Sequence, residues 1–371
     1  MAAGIYLHIP FCKSRCSYCD FATDVFRSNE IVDRYVDALC NDIAAFAVTD
    51  TIDTVYFGGG TPSLLNPGQL EKVLGTVRSR FSMLPDPEVT MEMNPATVTP
   101  ETLSAYKSLG INRASFGVQT FDDTELKRLA RGHNADDARK TFRLLRGAGF
   151  ENISFDLIAG LPRQTIADWE QNLDEAIAMQ PEHLSLYLLE IHESTPLAEQ
   201  IRSERQPLPD DELAAEMYEL MIEKLAAAGY GQYEISNFSK PGFESRHNSK
   251  YWRLDPVYGY GVSAHSFDGH QRYSNERDTA RYVERIESFG TAEVNRETID
   301  ATSEFVFLGL RLTDGIEMRE YFDRFGVDLR ARYEEEIENL AEAGLVELSN
   351  RSLRLTRKGM LFSNEVFSVF V

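Results

Sequence analysis

Three of the four cysteines in this 371-residue chain, Cys12, Cys16 and Cys19, fall within eight residues in the pattern C-x3-C-x2-C. Thiolates are ligands for zinc and for iron–sulfur clusters. A structural zinc normally takes four protein ligands, and the three thiols with His8 would make one such set. A [4Fe–4S] cluster held by three thiolates leaves one iron open, and an open iron can chelate a small molecule through an amine and a carboxylate. The spacing is not that of a disulfide framework. Cys40 stands apart on an apolar helical face with Tyr35, Val36 and Leu39, and reads as core.

The elements around the cluster follow from hydrophobic period. Ile5–Ile9, Thr54–Phe57, Glu88–Met93, Arg113–Val118, Ile153–Ile158 and His183–Leu188 read as short strands. Ile31–Ala47, Pro67–Arg80, Pro100–Leu109, Asp136–Ala148, Ile166–Met179 and Asp210–Ala228 read as helices between and after them. Repeated strand–helix units imply a parallel sheet in an α/β fold. Six units rather than eight imply a partial, open (β/α)6 TIM-like barrel, whose chemistry sits at the C-terminal ends of its strands. The cysteine loop follows the first strand, at that end.

The expected organisation is a barrel over residues 1–229 and an irregular connecting region over 230–300. A small C-terminal α+β unit over 301–371 completes it. In that unit Phe305–Leu312 and Leu329–Ala343 look helical. Leu345–Leu348 and Ser352–Leu355 look like a hairpin, giving a winged-helix-like arrangement. Such units often bind DNA, but this one carries the acidic run Tyr333-Glu334-Glu335-Glu336.

Composition narrows the classes. Hydrophobic residues at 43% and charged residues at 26% fit a folded chain with a large core. Against 38 Lys+Arg stand 59 Asp+Glu, a formal charge of −21, so nucleic acid is not an expected partner. No apolar run reaches the roughly 18–20 residues that span a bilayer. The start, MAAGIYLHIPFC, has no signal-peptide pattern, so a cytoplasmic location is expected.

Other strand ends carry further candidates. Gly58-Gly59-Gly60-Thr61-Pro62 follows the second strand, where glycines let backbone N–H groups approach a polar headgroup. Glu92, Gln119 and Asp156 end the next three, and supply acceptors for an amine and a ribose. Arg131, twelve residues past Gln119, could pair with a carboxylate.

The cysteine pattern, preceded by an apolar strand and Pro10, resembles the radical S-adenosylmethionine (SAM) superfamily. The segment Tyr6-Leu7-His8-Ile9-Pro10-Phe11-Cys12 is similar to the oxygen-independent coproporphyrinogen III oxidase (HemN-like) family, over nearly the whole chain. The resemblance implies a radical SAM barrel with a HemN-type C-terminal domain, and a [4Fe–4S] cluster on Cys12, Cys16 and Cys19. It implies SAM on Tyr6, Tyr18, Gly59, Gly60, Thr61, Glu92, Gln119, Arg131, Asp156 and Glu190, with Tyr18 and Glu190 acting through backbone. A reduced cluster of this kind cleaves SAM to a 5′-deoxyadenosyl radical, a chemistry that belongs to the cofactor.

Two departures separate the chain from the oxidase. The oxidase carries a further cysteine where this chain has Phe21, and an N-terminal extension where Tyr6 lies near the start. His247-Asn248-Ser249-Lys250-Tyr251-Trp252 fits H-N-x-x-Y-W, which marks the haem-chaperone branch of the family. That resemblance implies haem binding at His247, Asn248, Tyr251 and Trp252, with His247 either ligating iron or shaping the pocket. His8, His265 and His270 rank lower. The leading expectation is a haem chaperone without coproporphyrinogen turnover, whose partners are haem and a haem-acceptor protein. The alternatives are coproporphyrinogen III oxidation, a radical SAM methyltransferase, and an iron–sulfur protein whose SAM site does not turn over.

Overall fold

The structure is a computed structural model that describes residues 2–45 and 49–371. Its centre is a run of six parallel strands: β1 (Ala3–Ile9), β2 (Thr51–Gly59), β3 (Ser82–Met93), β4 (Arg113–Gln119), β5 (Asn152–Ala159) and β6 (His183–Leu188). Each pairs with the next in sequence order. This is the six-unit partial barrel that the hydrophobic pattern implies.

The strands alternate in a way that explains the lumen. One face of each is apolar and buried under helices: Ile5 and Leu7, Val55 and Phe57, Val89 and Met91, Ala114 and Phe116, Ile153 and Phe155, Leu184 and Leu186. The intervening residues point inward and are polar: Tyr6, Thr54, Tyr56, Thr90, Glu92, Arg113, Ser115, Ser154, Asp156, His183 and Ser185. A closed eight-stranded barrel fills this space with branched apolar side chains. Here it is a polar interior.

The covering helices start where the sequence supplies caps. Asn66 with Gln69, Thr99 with Thr102, Asn134 with Asp137 and Thr165 with Asp168 each close a reciprocal capping box. The helix expected over Ile31–Ala47 is observed as Asn29–Ala45, and Ala47 lies outside the described residues.

Residues 230–300 are more regular than the sequence suggests. They hold β7 (Gly231–Glu234), β8 (Asn237–Ser239), β9 (Val257–Tyr260), β10 (His265–Phe267), β11 (Gln271–Asn275) and β12 (Glu293–Thr298), with helices Arg246–Trp252 and Thr279–Phe289. The full sheet runs β12-β11-β10-β9-β1-β2-β3-β4-β5-β6-β8-β7. β9 adds in parallel to β1, some 250 residues away in sequence. Strands of three or four residues show too little alternation to be read locally, and pairing with distant strands supplies what propensity does not.

The C-terminal unit has its own core, built on Phe305, Leu310, Tyr321, Ile337, Leu340 and Leu353. β13 (Ile316–Glu317), β14 (Val346–Leu348) and β15 (Ser352–Leu355) form a small antiparallel sheet. The first helix is Ala301–Gly309, shorter at its end than expected. The helix expected over Leu329–Ala343 breaks at Tyr333 into Leu329–Arg332 and Glu334–Glu342. The acidic run is thereby the first turn of a helix, where its charge suits the exposed N–H groups. Backbone bonds from Ile235 N to Arg311 O (3.1 Å) and from Thr313 N to Tyr233 O (3.1 Å) tie this unit to β7. Among the described residues no helix is long and apolar enough to cross a membrane.

Candidate functional site

Pro10 follows β1 and the chain turns into the cysteine loop. Phe11–Cys12 pairs in parallel with Asp24–Val25, which folds the loop back on itself. The Ser17 N–H donates to Leu129 O (2.9 Å) and Ser17 O accepts from the Leu197 N–H (2.8 Å), so the loop is pinned between the segments that follow β4 and β6. Cys12 is buried, while Cys16 and Cys19 are half-buried. Burial pushes the Cys12 and Cys19 thiols up, and the neighbouring cysteines push them further. The Cys12 and Cys19 thiols are thus held toward the protonated form, which a bound cluster would reverse by drawing off their protons. Among the described residues, no three of His, Cys, Asp and Glu close tightly enough for a single ion.

His8 does not complete a fourth ligand. Its Nε2 lies 2.8 Å from Ala22 O and its Nδ1 3.1 Å from the Tyr6 hydroxyl, so both ring nitrogens are engaged. Burial lowers its pKa to about 4, which keeps the ring neutral.

The glycine turn lies against this loop. The Gly60 N–H donates to Ile9 O (2.8 Å). A Cβ at Gly60 would stand 2.7 Å from the Pro10 carbonyl, and one at Gly59, where φ is +109°, would stand 2.7 Å from the His8 ring. Only glycine fits. Thr61 donates its hydroxyl to Cys12 Sγ (3.5 Å) and accepts from Asn94 Nδ2 (2.7 Å).

Glu92 sits beneath that turn. It accepts from the Tyr56 hydroxyl (2.7 Å) and from the Gly59 N–H (3.1 Å). Burial, with Asp156 adding, raises its pKa to about 7. Burial likewise raises Asp156 to about 6, against a hydrogen bond from Ser185 and the charges of Arg113 and Arg131. Arg131 is half-buried beside them. It donates to Asn94 Oδ1 (2.8 Å), Gly117 O (2.6 Å), Cys16 Sγ (3.4 Å) and the Tyr18 hydroxyl (3.3 Å), and its Nε has no partner. Gln119 is buried at the end of β4, with φ +73°. Tyr18 packs against Leu129, Ile158 and Leu161. Glu190 lies outside this group, in the loop after β6, its exposed carboxylate 3.7 Å from His192 Nε2.

The H-N-x-x-Y-W residues stand at the other end of the lumen, on the helix Arg246–Trp252. Ser245 caps it, accepting from the Asn248 N–H (3.3 Å), and Glu88 accepts the N–H groups of Arg246 (3.1 Å) and His247 (3.0 Å). His247 is buried, with Nδ1 2.9 Å from Thr54 Oγ1 and Nε2 3.2 Å from the Tyr251 hydroxyl. Its ring stacks on Tyr56 (5.0 Å) and Tyr6 (6.5 Å). Burial, then the charges of Lys250 and Arg113, lower its pKa to about 3. With both nitrogens engaged, His247 has none free for iron in this arrangement. Trp252 meets the Tyr251 ring (6.4 Å) and lies under the Arg311 guanidinium (4.3 Å), and its Nε1 is buried without a partner. Asn248 is half-buried, and His265 and His270 are exposed on β10 and in the turn after it. His247, Tyr251 and Trp252 are thus joined ring to ring, while His265 and His270 stand apart from them.

Sequence reasoning missed Tyr56, Asn94, Arg113 and Ser185. Tyr56 and Arg113 each sit two residues before a motif position, Gly58 and Ser115, and strand period alone places them on the same face.

A radical SAM superfamily model matches residues 6–176 and a HemN C-terminal domain model matches residues 298–362. A protein of Bacillus subtilis named heme chaperone HemW is 38% identical over 99% of this chain and 98% of its own length. One of Escherichia coli with the same name is 34% identical over 99% of this chain and 98% of its own. Among solved structures, coproporphyrinogen III oxidase (HemN) of Escherichia coli superposes with a TM-score of 0.87, covering 100% of this chain and 90% of that one at 24% identity. That likeness is one of fold.

Proposed function

The chain belongs to the HemW family of radical SAM proteins, and from that membership we propose that it is a haem chaperone, binding haem and passing it to an acceptor protein. The observation that carries the reading is likeness along the whole chain to proteins named for that role, at 38% and 34% identity. Cys12, Cys16 and Cys19 are the residues that would hold a [4Fe–4S] cluster, and no fourth cysteine stands at Phe21. Glu92 and Asp156 offer carboxylates to an ammonium, Arg131 offers its unpartnered Nε to an acceptor, and Gly59 and Gly60 keep the turn free of side chains. These groups suit the amine, carboxylate and ribose of SAM. When bound, a reduced cluster supplies an electron to SAM. The protein's part is to hold the thiols, orient the cofactor and exclude water.

A second reading, coproporphyrinogen oxidation, has the HemN-like fold in its favour, while Phe21 in place of the oxidase's further cysteine counts against it.

The test is an anaerobic haem titration of the cluster-reconstituted chain, followed by absorbance. The expected result is saturation near one haem per chain. Absence of saturable binding would remove the chaperone reading. SAM-dependent loss of propionate carboxyls from coproporphyrinogen would then favour the oxidase.

A further inference from the structure

Most inward polar groups of the lumen are satisfied. Three that are not stand in a row. Thr90, Arg113 and Asn152 are register partners on β3, β4 and β5, so their side chains rise from neighbouring positions on one face. Thr90 Oγ1, Arg113 Nε and Asn152 Oδ1 are all buried without a hydrogen-bond partner. Arg113 is 1% exposed, and its guanidinium makes no hydrogen bond or ion pair with any described residue.

The nearby carboxylates of Glu92 and Asp156 feel the charge of Arg113 but accept their hydrogen bonds elsewhere. Glu92 accepts from Tyr56 and Gly59, Asp156 from Ser185, and Glu88 caps the helix that begins at Arg246. His183, the next inward group, is held by Ser154 (2.7 Å) and Tyr233 (2.8 Å). Arg113 therefore has a charge, five donors and no assigned acceptor. A buried guanidinium left in that state is costly. Its planar fork matches a carboxylate, the Thr90 hydroxyl adds a donor, and the Asn152 amide turned half a rotation adds another.

We infer that the floor of the lumen is a carboxylate-binding subsite, with Arg113 as its anchor and Thr90 and Asn152 beside it. The carboxylate is either a small free acid or a propionate arm of a bound porphyrin. Only the second source rests on the haem-binding reading, so the two fail separately.

The experiment uses the intact, cluster-reconstituted chain under anaerobic conditions. Its first arm follows the unfolding midpoint in sodium formate against sodium chloride at equal ionic strength. A saturable rise of about 2–5 °C in formate alone is expected. The second arm compares haem with haem dimethyl ester, and the diacid is expected to bind roughly tenfold or more tightly. Arg113→Lys keeps the charge without the fork and should weaken whichever effect is present by about tenfold. Arg113→Gln should abolish it. The formate rise assigns the site to a small acid, and a difference between haem and its ester assigns it to a propionate. Absence of both effects in the wild type overturns the inference. So does an effect that survives unchanged in Arg113→Lys. Both of these outcomes can be read even if Arg113→Gln does not fold.

Discussion

The two ends of the barrel lumen are built on different principles. At the C-terminal end the polar groups come from loops and turns: the cysteine loop, the glycine turn, and Asn94 and Arg131 beyond β3 and β4. They leave one buried donor, Arg131 Nε, without a partner. At the N-terminal end the polar groups come from strands and one helix. There His247 has both nitrogens engaged and two aromatic rings stacked on it. One end is arranged to receive something. The other, apart from the row at Arg113, is arranged to stay as it is.

The largest effect should come from breaking the receiving end. Cys12→Ala, Cys16→Ala or Cys19→Ala each removes one of three thiols, and reconstituted iron and sulfide should fall to near background. SAM binding should fall with them if the open-iron arrangement holds. Iron content unchanged from wild type would count against the cluster assignment.

Breaking the closed end should read out as stability. His247→Ala empties a buried ring site and leaves Thr54 and Tyr251 without their partner, a loss of about 2–4 kcal/mol. Denaturant unfolding measures it. Iron content of the folded fraction should not change. Haem stoichiometry should also hold, because His247 has no free nitrogen; its loss in a folded variant would mean that the helix Arg246–Trp252 opens to bind.

Glu92 stands between the ends, bonded to Tyr56, whose ring stacks on His247. The Glu92 pKa near 7 is raised above the usual carboxylate value, so the folded state holds its proton more tightly than the unfolded state does. The sign follows: this group costs no stability below the unfolded value, and its cost grows as pH rises to about 7. An ammonium reaching Glu92 must displace that proton. SAM affinity should therefore weaken as pH falls from 8 to 6, approaching tenfold per unit below 7, and Glu92→Gln should flatten the profile while lowering affinity roughly tenfold at pH 8. Equilibrium dialysis of labelled SAM across pH checks both. A flat wild-type profile would separate Glu92 from the amine.

The same contrast explains what the sequence made legible. Cys12, Cys16, Cys19, Gly59 and Gly60 are close in the chain, so spacing alone exposes them. The six strands and their helices carry strong periods, and the barrel follows from them. The floor is different. Thr90, Arg113 and Asn152 become neighbours only through the order of β3, β4 and β5, and each looks ordinary in its own segment. β9 was invisible for the same reason, since its partner β1 lies at the other end of the chain. His247 is the converse case. Its motif carries a resemblance, but burial and hydrogen bonding decide what an imidazole can do, and neither is local to the motif.

Trp252 sharpens that point with the smallest expected effect. Its indole lies under Arg311 and meets the Tyr251 ring (6.4 Å). Its Nε1 is buried with no acceptor, so the N–H is a cost that the fold already carries. Trp252→Phe gives up some stacking area and cation–π attraction, and removes that unpaired donor. The two changes oppose each other, and the net shift should stay within about 1 kcal/mol by denaturant unfolding. Haem and iron content should be unchanged. A folded Trp252→Phe protein that loses haem would show that the indole contacts the ligand, and the closed end would then belong to the haem site after all.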